Sequence, residues 1–197
     1  PELDRLHLQA VWETQQQLQQ QIGLVAYIFI PINLDGEQVS YSPRAHATLY
    51  AHGERLAGQA FRDKMASDAI IRYNIGGDPN NLVTPATVAP YTEEEAARFE
   101  IDYPVLEQYL GFFAGCDILI ADPGAEIDLL AATGRFDLIR DYVGFLRGRF
   151  ETVITSVHHA GLTIPRLEEE NISVDGYLTT VNSPGTFMLP TQELALD

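Results

Sequence analysis

The chain has 197 residues, 46% of them hydrophobic, and a formal net charge of −16 from 12 Lys and Arg against 28 Asp and Glu. That length supports one domain with a sizeable core. A surface this acidic excludes nucleic acid and anionic membranes as principal partners, because both carry the same sign of charge.

The single cysteine, Cys116, excludes an internal disulfide and a cysteine-rich metal site. No apolar run reaches about 18 residues, so we predict no membrane span, and the first residues lack the pattern of a secretory signal peptide. We therefore expect the protein to work in the reducing cytoplasm.

Helical and apolar segments alternate through the first half of the sequence. The predicted elements are helix 2–21, strand 24–33, helix 43–65 and strand 69–75. Ser42 and Pro43 begin the second helix, as its cap and as a first-turn residue.

The second half opens with the longest irregular stretch, 76–101, where Thr92 and Glu95 predict a capping box. Asp102 is the predicted cap of the helix that follows. The elements after it are predicted as strand 117–121, helices 126–132 and 136–150, a strand in the run 152–161, helix 162–170, a strand in the run 174–182 and a last helix capped by Thr191.

Five apolar runs separated by helices predict an α/β fold with a parallel sheet and crossover helices. We expect a TIM barrel or part of one, and the alternative is an open doubly wound sheet. Both ends of the sequence interrupt a helical pattern. Residues 1–197 are therefore expected to form a single α/β domain that is an internal piece of a longer barrel.

Four stretches carry a resemblance to a known family. They are DILIAD (117–122), LAATGRFD (130–137), SVHHAG (156–161) and VDGYLTTVN (174–182). Over about residues 104–182 they resemble the uncharacterised branch of aldo/keto-reductase-like TIM barrels, in which a strand ends in His, a short helix follows and the next strand begins with Asp after Val.

The resemblance implies that the five apolar runs are strands two to six of an eight-stranded barrel, with the strands that bind a nicotinamide cofactor outside residues 1–197. It also implies that His158 is the histidine at the strand end. The reductases use an Asp-Tyr-Lys-His set, and this chain does not assemble one, because its only lysine, Lys64, lies in a predicted helix.

The candidate catalytic residues are His158, His159 and Asp122, which follow or end two predicted strands. Alternation along a strand places the two histidines on opposite faces, His158 with Ser156 and His159 with Val157. A histidine here serves as a general base, an oxyanion donor or a metal ligand, or else as a hydrogen-bonded loop residue. Asp122 either orients a histidine or caps the turn that follows it.

The candidate ligand-binding residues are polar side chains near strand ends. They are Asn33, Asn74, Asp78, Glu126 and Asn182. The carboxyl ends of parallel strands are where such folds bind ligands, so a small polar molecule is the expected ligand. Gly76 and Gly77 also offer backbone N–H groups to an anion.

Three functions stay open at this point. The first is an aldo/keto-reductase-like barrel protein that binds a small polar ligand. The second is a non-catalytic, degenerate barrel that acts as an assembly module. The third is a hydrolase or isomerase that uses a divalent metal held by the histidines, Asp122 and Glu126. Neither the substrate nor the cofactor follows from the sequence, and a homo-oligomer or a protein partner is expected to cover the open sheet edges.

Overall fold

The computed structural model describes residues 2–73 and 84–197 and contains two β-sheets with surrounding helices. The helices are α1 (Glu2–Leu18), α2 (Pro43–Tyr73), α3 (Glu93–Ala96), α4 (Tyr103–Leu110), α5 (Glu126–Ala132), α6 (Phe136–Arg147), α7 (Ala160–Glu169) and α8 (Gln192–Leu196). The strands are β1 (Gly23–Tyr27), β2 (Ile32–Leu34), β3 (Glu37–Gln38), β4 (Glu100–Ile101), β5 (Asp117–Asp122), β6 (Thr152–Val157) and β7 (Gly176–Thr179).

Four strands form the main sheet, in the order β1-β5-β6-β7, and all its pairs are parallel. The register places Ala26 beside Ala121, Ala121 beside Val153, and Val157 beside Thr179. The predicted α/β fold with a parallel sheet is therefore confirmed. Each strand lies next to its predecessor in this sheet, which fits part of a barrel as well as part of an open sheet.

The two faces of this sheet differ in their cover. One face is buried by helices, and its residues are Ala26, Ala121, Val153, Thr155 and Val157. The other face is open: Val25 is 60% exposed, Leu119 56% and Leu178 54%. A parallel sheet normally has both faces covered, so the open apolar face is unusual.

A second, antiparallel sheet has the order β3-β2-β4. Asp35 and Gly36 join β2 to β3, with φ angles of 53° and 89°, as a two-residue hairpin turn with both residues left-handed requires. The single strand predicted over 24–33 is wrong, because the chain forms β1, leaves the main sheet and then forms β2. Pro31 lies between β1 and β2, and it has no backbone N–H to continue the hydrogen bonds between strands.

The strand predicted over 69–75 is also wrong for the residues that the structure describes. Residues 69–73 are the end of α2, and residues 74 and 75 lie outside the described part. Periodicity does not separate a short apolar run in a helix from one in a strand. Helix α2 also bends at Gly58, whose φ and ψ are 55° and −127°.

The predicted helix starts are confirmed at their caps. Thr92 and Glu95 form the capping box of α3, and Asp102 accepts a hydrogen bond from the Val105 amide at the start of α4. Thr191 accepts one from the Leu194 amide. Side-chain oxygens satisfy the amides that a first helical turn leaves unpaired. Within the described ranges, no helix is long and apolar enough to cross a membrane.

Candidate functional site

The two histidines after β6 lie in opposite environments, as strand alternation predicts. His159 is 6% exposed, whereas the His158 side chain is exposed. The Nδ1 atom of His159 is buried, and no group in 2–73 or 84–197 forms a hydrogen bond with it. Burial lowers the pKa of His159, because a charged imidazole would lose its hydration there. His159 is therefore a neutral imidazole held inside the helix layer.

The carboxylate that holds the histidine segment is Asp128 of α5, a residue that the sequence analysis missed. Its Oδ2 accepts hydrogen bonds from the backbone amides of His158 at 2.7 Å and His159 at 3.2 Å. Its Oδ1 accepts one from the Thr163 hydroxyl at 2.5 Å. Asp128 is 2% exposed, so these donors replace its lost hydration. It fixes the start of α7 against α5.

Asp122, at the end of β5, has partners other than a histidine. Its Oδ1 accepts hydrogen bonds from the Gly124 amide at 2.9 Å and the Ser156 amide at 2.8 Å. Its Oδ2 accepts one from the Ser156 hydroxyl. Asp122 thus closes the turn after β5 and ties β5 to β6. The expectation that it orients a histidine does not match these contacts.

Glu126 lies in the first turn of α5, next to the carboxyl end of β1. It is 5% exposed and accepts a hydrogen bond from the Tyr27 hydroxyl at 3.0 Å. The Tyr41 hydroxyl contacts both the Tyr27 hydroxyl and Glu126. Burial raises the pKa of Glu126 to about 7, and the nearby Asp122 and Asp128 add to that rise. Glu126 therefore changes protonation near neutral pH.

The backbone brings the two tyrosines to Glu126 through two special positions. Gly124 has a φ of 79°, and a Cβ there would meet the Tyr27 ring at 2.0 Å. Only glycine lets Tyr27 lie this close to the turn. Tyr41 itself has a φ of 59°, a rare conformation for a residue with a bulky side chain.

The remaining predicted residues do not join this cluster. Asn33 belongs to β2 and pairs with Gln38 and Glu100 in the antiparallel sheet, so its predicted place at a parallel strand end is wrong. The side chain of Asn182 bonds the backbone of Thr186, with Oδ1 accepting from the amide at 2.9 Å and Nδ2 donating to the carbonyl at 2.8 Å. Asn182 therefore closes its own loop.

Asn74 and Asp78, with the glycines between them, lie outside the described residues. Among residues that the structure describes, no three His, Cys, Asp or Glu side chains come together as ligands for a metal ion. The metal-centre hypothesis thus has no ligand set in this part of the chain.

The candidate site is the group of side chains at the carboxyl ends of β1, β5 and β6, which we call the carboxyl-edge cluster. Its members are Tyr27, Tyr41, Asp122, Glu126 and Ser156. Sequence analysis identified only the two carboxylates. Tyr27 lies inside the apolar run 24–33, and it becomes a strand-end residue only because β1 ends there, so no sequence signal pointed to it.

Comparisons with known proteins add no relative to this description. No family model matches the chain, and neither the curated proteins nor the solved structures include a match to it.

Proposed function

We propose that the carboxyl-edge cluster binds a small polar ligand and that Glu126 exchanges a proton with it. The observation that carries the proposal is a carboxyl group that is 5% exposed and hydrogen-bonded to tyrosine at the carboxyl edge of a parallel sheet, and this burial raises its pKa to about 7. A general acid or base works best when its pKa is close to the working pH.

Two neighbouring groups support that role for Glu126. Tyr27 is 39% exposed and Tyr41 54%, so both side chains are partly accessible to a ligand while they contact Glu126. Asp122 is fixed by Gly124 and Ser156 and adds negative charge that favours the protonated form of Glu126. A ligand hydroxyl or carbonyl would complete this network, which is why we propose a polar ligand.

The proposed ligand site lies at the carboxyl ends of the parallel strands, where the resemblance to aldo/keto-reductase-like barrels also implies one. The chemistry at this face differs from the reductase set, because the cluster has tyrosine and aspartate but neither lysine nor histidine, and it adds a buried glutamate. We therefore propose proton exchange as the reaction type and leave out hydride transfer.

The test combines a titration with a ligand screen. Carboxyl ¹³C NMR should show one glutamate titrating near pH 7 that disappears in Glu126→Gln. Saturation-transfer NMR at pH 6 with glycerol, dihydroxyacetone and lactate should detect binding that both Glu126→Gln and Asp122→Asn weaken about tenfold, a loss of about 1.4 kcal/mol.

Glu151→Gln is the matched control, since Glu151 is exposed and precedes β6 at the opposite edge of the sheet. The proposal is wrong if Glu126 titrates at an ordinary pH. It is equally wrong if no probe binds, or if the two variants bind as the wild type does.

A second candidate function is assembly through the open face of the sheet. Val25, Leu119 and Leu178 are all more than half exposed on that face, and we propose a second copy of the same sheet as the partner. Two such sheets would cover each other's apolar faces. The inner faces of the two halves of a parallel barrel are buried against each other in the same way.

Sedimentation velocity at physiological ionic strength tests the assembly proposal. The wild type should be a dimer, and Leu119→Gln combined with Leu178→Gln should be a folded monomer. Leu6→Gln is the control, because Leu6 is 50% exposed on α1 rather than on the sheet. A monomeric wild type at its highest soluble concentration would exclude self-assembly.

A further inference from the structure

A cavity of about 280 Å³ lies within the helix layer, apart from the carboxyl-edge cluster. Helices α2, α5, α6 and α7 contribute its walls. Most of the lining is apolar, and these residues are Leu49, Leu56, Ala131, Ala132, Phe136 and Leu162. A cavity of this size and lining fits a small organic molecule with an apolar body.

The polar part of the lining is mainly basic. It includes His52 and Arg55 from α2, His159 at the start of α7, and Arg166 from α7. The chain has only 12 Lys and Arg against 28 Asp and Glu, so two arginines beside a single carboxylate, Asp128, are a local reversal of the overall charge. An anionic group is the chemistry that such a lining attracts.

Arg55 retains hydrogen-bonding capacity toward a ligand. Its Nη2 donates to Nδ1 of His52 at 2.6 Å, which makes His52 a neutral acceptor, since a guanidinium group only donates. Arg55 is thus held beside the cavity by an imidazole, and no carboxylate of the described residues forms an ion pair with it. The remaining donors of its guanidinium group suit a bidentate contact with a carboxylate.

Arg166 is positioned by weaker contacts. Its guanidinium carbon lies 5.0 Å from the centroid of the Phe136 ring, and its exposed ion pairs with Glu169 and Glu170 are 3.4 Å and 3.7 Å long. Exposed pairs of this length contribute little energy. Arg166 can therefore exchange them for a better-placed anion at small cost.

His159 supplies an independent sign of an unfilled polar site. It lines the cavity and is only 6% exposed, and its Nδ1 has no hydrogen-bond partner within the described part of the chain. A buried polar atom without a partner costs free energy unless a ligand or water satisfies it. Asp128 is the carboxylate in the lining, and it already accepts three hydrogen bonds from other groups. The guanidinium groups of Arg55 and Arg166 therefore remain available to a ligand.

We propose that this cavity binds a small organic carboxylate, with its apolar body against the leucine and phenylalanine walls and its carboxylate between Arg55 and Arg166. The ligand class follows from the lining, which combines an apolar interior with two guanidinium groups and two imidazoles. A free phosphate would use the cations without the apolar walls, so the two kinds of anion are distinguishable.

The proposal predicts that binding and protonation of His52 are linked. Burial and the neighbouring Arg55, His159 and Arg166 lower the pKa of His52 to about 4, while Asp128 opposes them. A bound carboxylate adds negative charge beside His52 and favours its protonated form. Carboxylate binding should therefore strengthen as the pH falls from 7 toward 5.

The experiment is a titration of the whole chain with benzoate, benzamide and inorganic phosphate, followed by ¹H–¹⁵N NMR and calorimetry. Benzoate should bind at least tenfold more tightly than its neutral isostere benzamide, and more tightly than phosphate. Arg55→Gln and Arg166→Gln should each weaken benzoate about tenfold. Arg62→Gln should not, because Arg62 bonds Glu54 and Gln59 outside the cavity.

Equal binding of benzoate and benzamide would overturn the anion site, and the absence of benzoate binding would do the same. Tighter binding of phosphate than of benzoate would overturn the organic carboxylate as the ligand. Both arginines are exposed, so their variants should fold, and circular dichroism checks this. Glu126→Gln should leave benzoate binding unchanged, which separates this proposal from that of the carboxyl-edge cluster.

Discussion

Helix α5 carries two buried carboxyl groups two residues apart, and their surroundings assign them opposite roles. Asp128 accepts hydrogen bonds from two backbone amides and a hydroxyl, which hold the start of α7 against α5. Glu126 contacts tyrosine hydroxyls at the edge of the sheet, and burial raises its pKa to about 7. Both groups are buried, so burial alone does not separate their roles. The donors differ: backbone amides make Asp128 a structural link, whereas tyrosine hydroxyls surround Glu126 at the carboxyl edge of the sheet.

The largest expected effect is the loss of Asp128. Asp128→Ala removes the acceptor of three donors, two of which are backbone amides at the start of α7. Leaving such groups buried and unpaired should lower the free energy of unfolding by about 3 kcal/mol or more. Urea unfolding measures this, with Glu151→Gln as the control that should change stability by less than about 0.5 kcal/mol. A small effect would remove the structural role of Asp128.

The second largest expected effect is a pH-dependent stability that comes from Glu126. The pKa of Glu126 in the folded state, about 7, is above its ordinary value of 4.5. Its contribution to stability is therefore fully present below pH 4.5 and is lost as the pH rises through 7.

Between pH 4.5 and pH 8 the wild type should lose up to about 3 kcal/mol relative to Glu126→Gln. Urea unfolding of both proteins across this range measures the difference. Parallel pH profiles for the two proteins would show that Glu126 has an ordinary pKa, and the comparison with Asp128 would fail.

His52, in the lining of the cavity, should change the pH dependence of stability by a smaller amount and in the opposite direction. Burial lowers the pKa of His52 from 6.5 to about 4, so its contribution to stability is present above pH 6.5 and is lost as the pH falls toward 4. His52→Gln should remove about 1–2 kcal/mol of the acid sensitivity of the wild type, an amount reduced because His52 is partly in contact with solvent. Thermal unfolding at pH 7.5 and pH 5 tests this. If the drop in Tm between the two pH values is the same for the wild type and for His52→Gln, the prediction is wrong.

The smallest effect separates the two adjacent histidines. The His158 side chain is exposed, and what fixes this residue is its backbone amide bound to Asp128. His158→Ala keeps that amide, so it should change the free energy of unfolding by less than about 0.5 kcal/mol. His159→Ala removes a buried ring next to Phe61 and should cost clearly more. Equal effects would mean that the two side chains do not differ in environment.

The sequence predicted what depends on local pattern. The alternation of apolar runs with helices was enough for the parallel sheet, because each element needs a particular spacing of its apolar side chains. Caps at Thr92, Asp102 and Thr191 were also predictable, since a side-chain oxygen bonds an amide only two or three residues away. Opposite environments for His158 and His159 follow from the same local geometry.

Tertiary structure alone decided which side chains meet. The break between β1 and β2, and the helical conformation of 69–73, depend on where the chain finds packing partners, and a short apolar run does not reveal this. Tyr27 and Tyr41 reach Glu126 from segments 99 and 85 positions away in the chain. Their meeting depends on sheet order, on the hairpin at Asp35 and on Gly124, so no local pattern records it. Burial, which shifts the pKa of Glu126 and separates the Nδ1 atom of His159 from any hydrogen-bond partner among the described residues, likewise exists only once the whole core has formed.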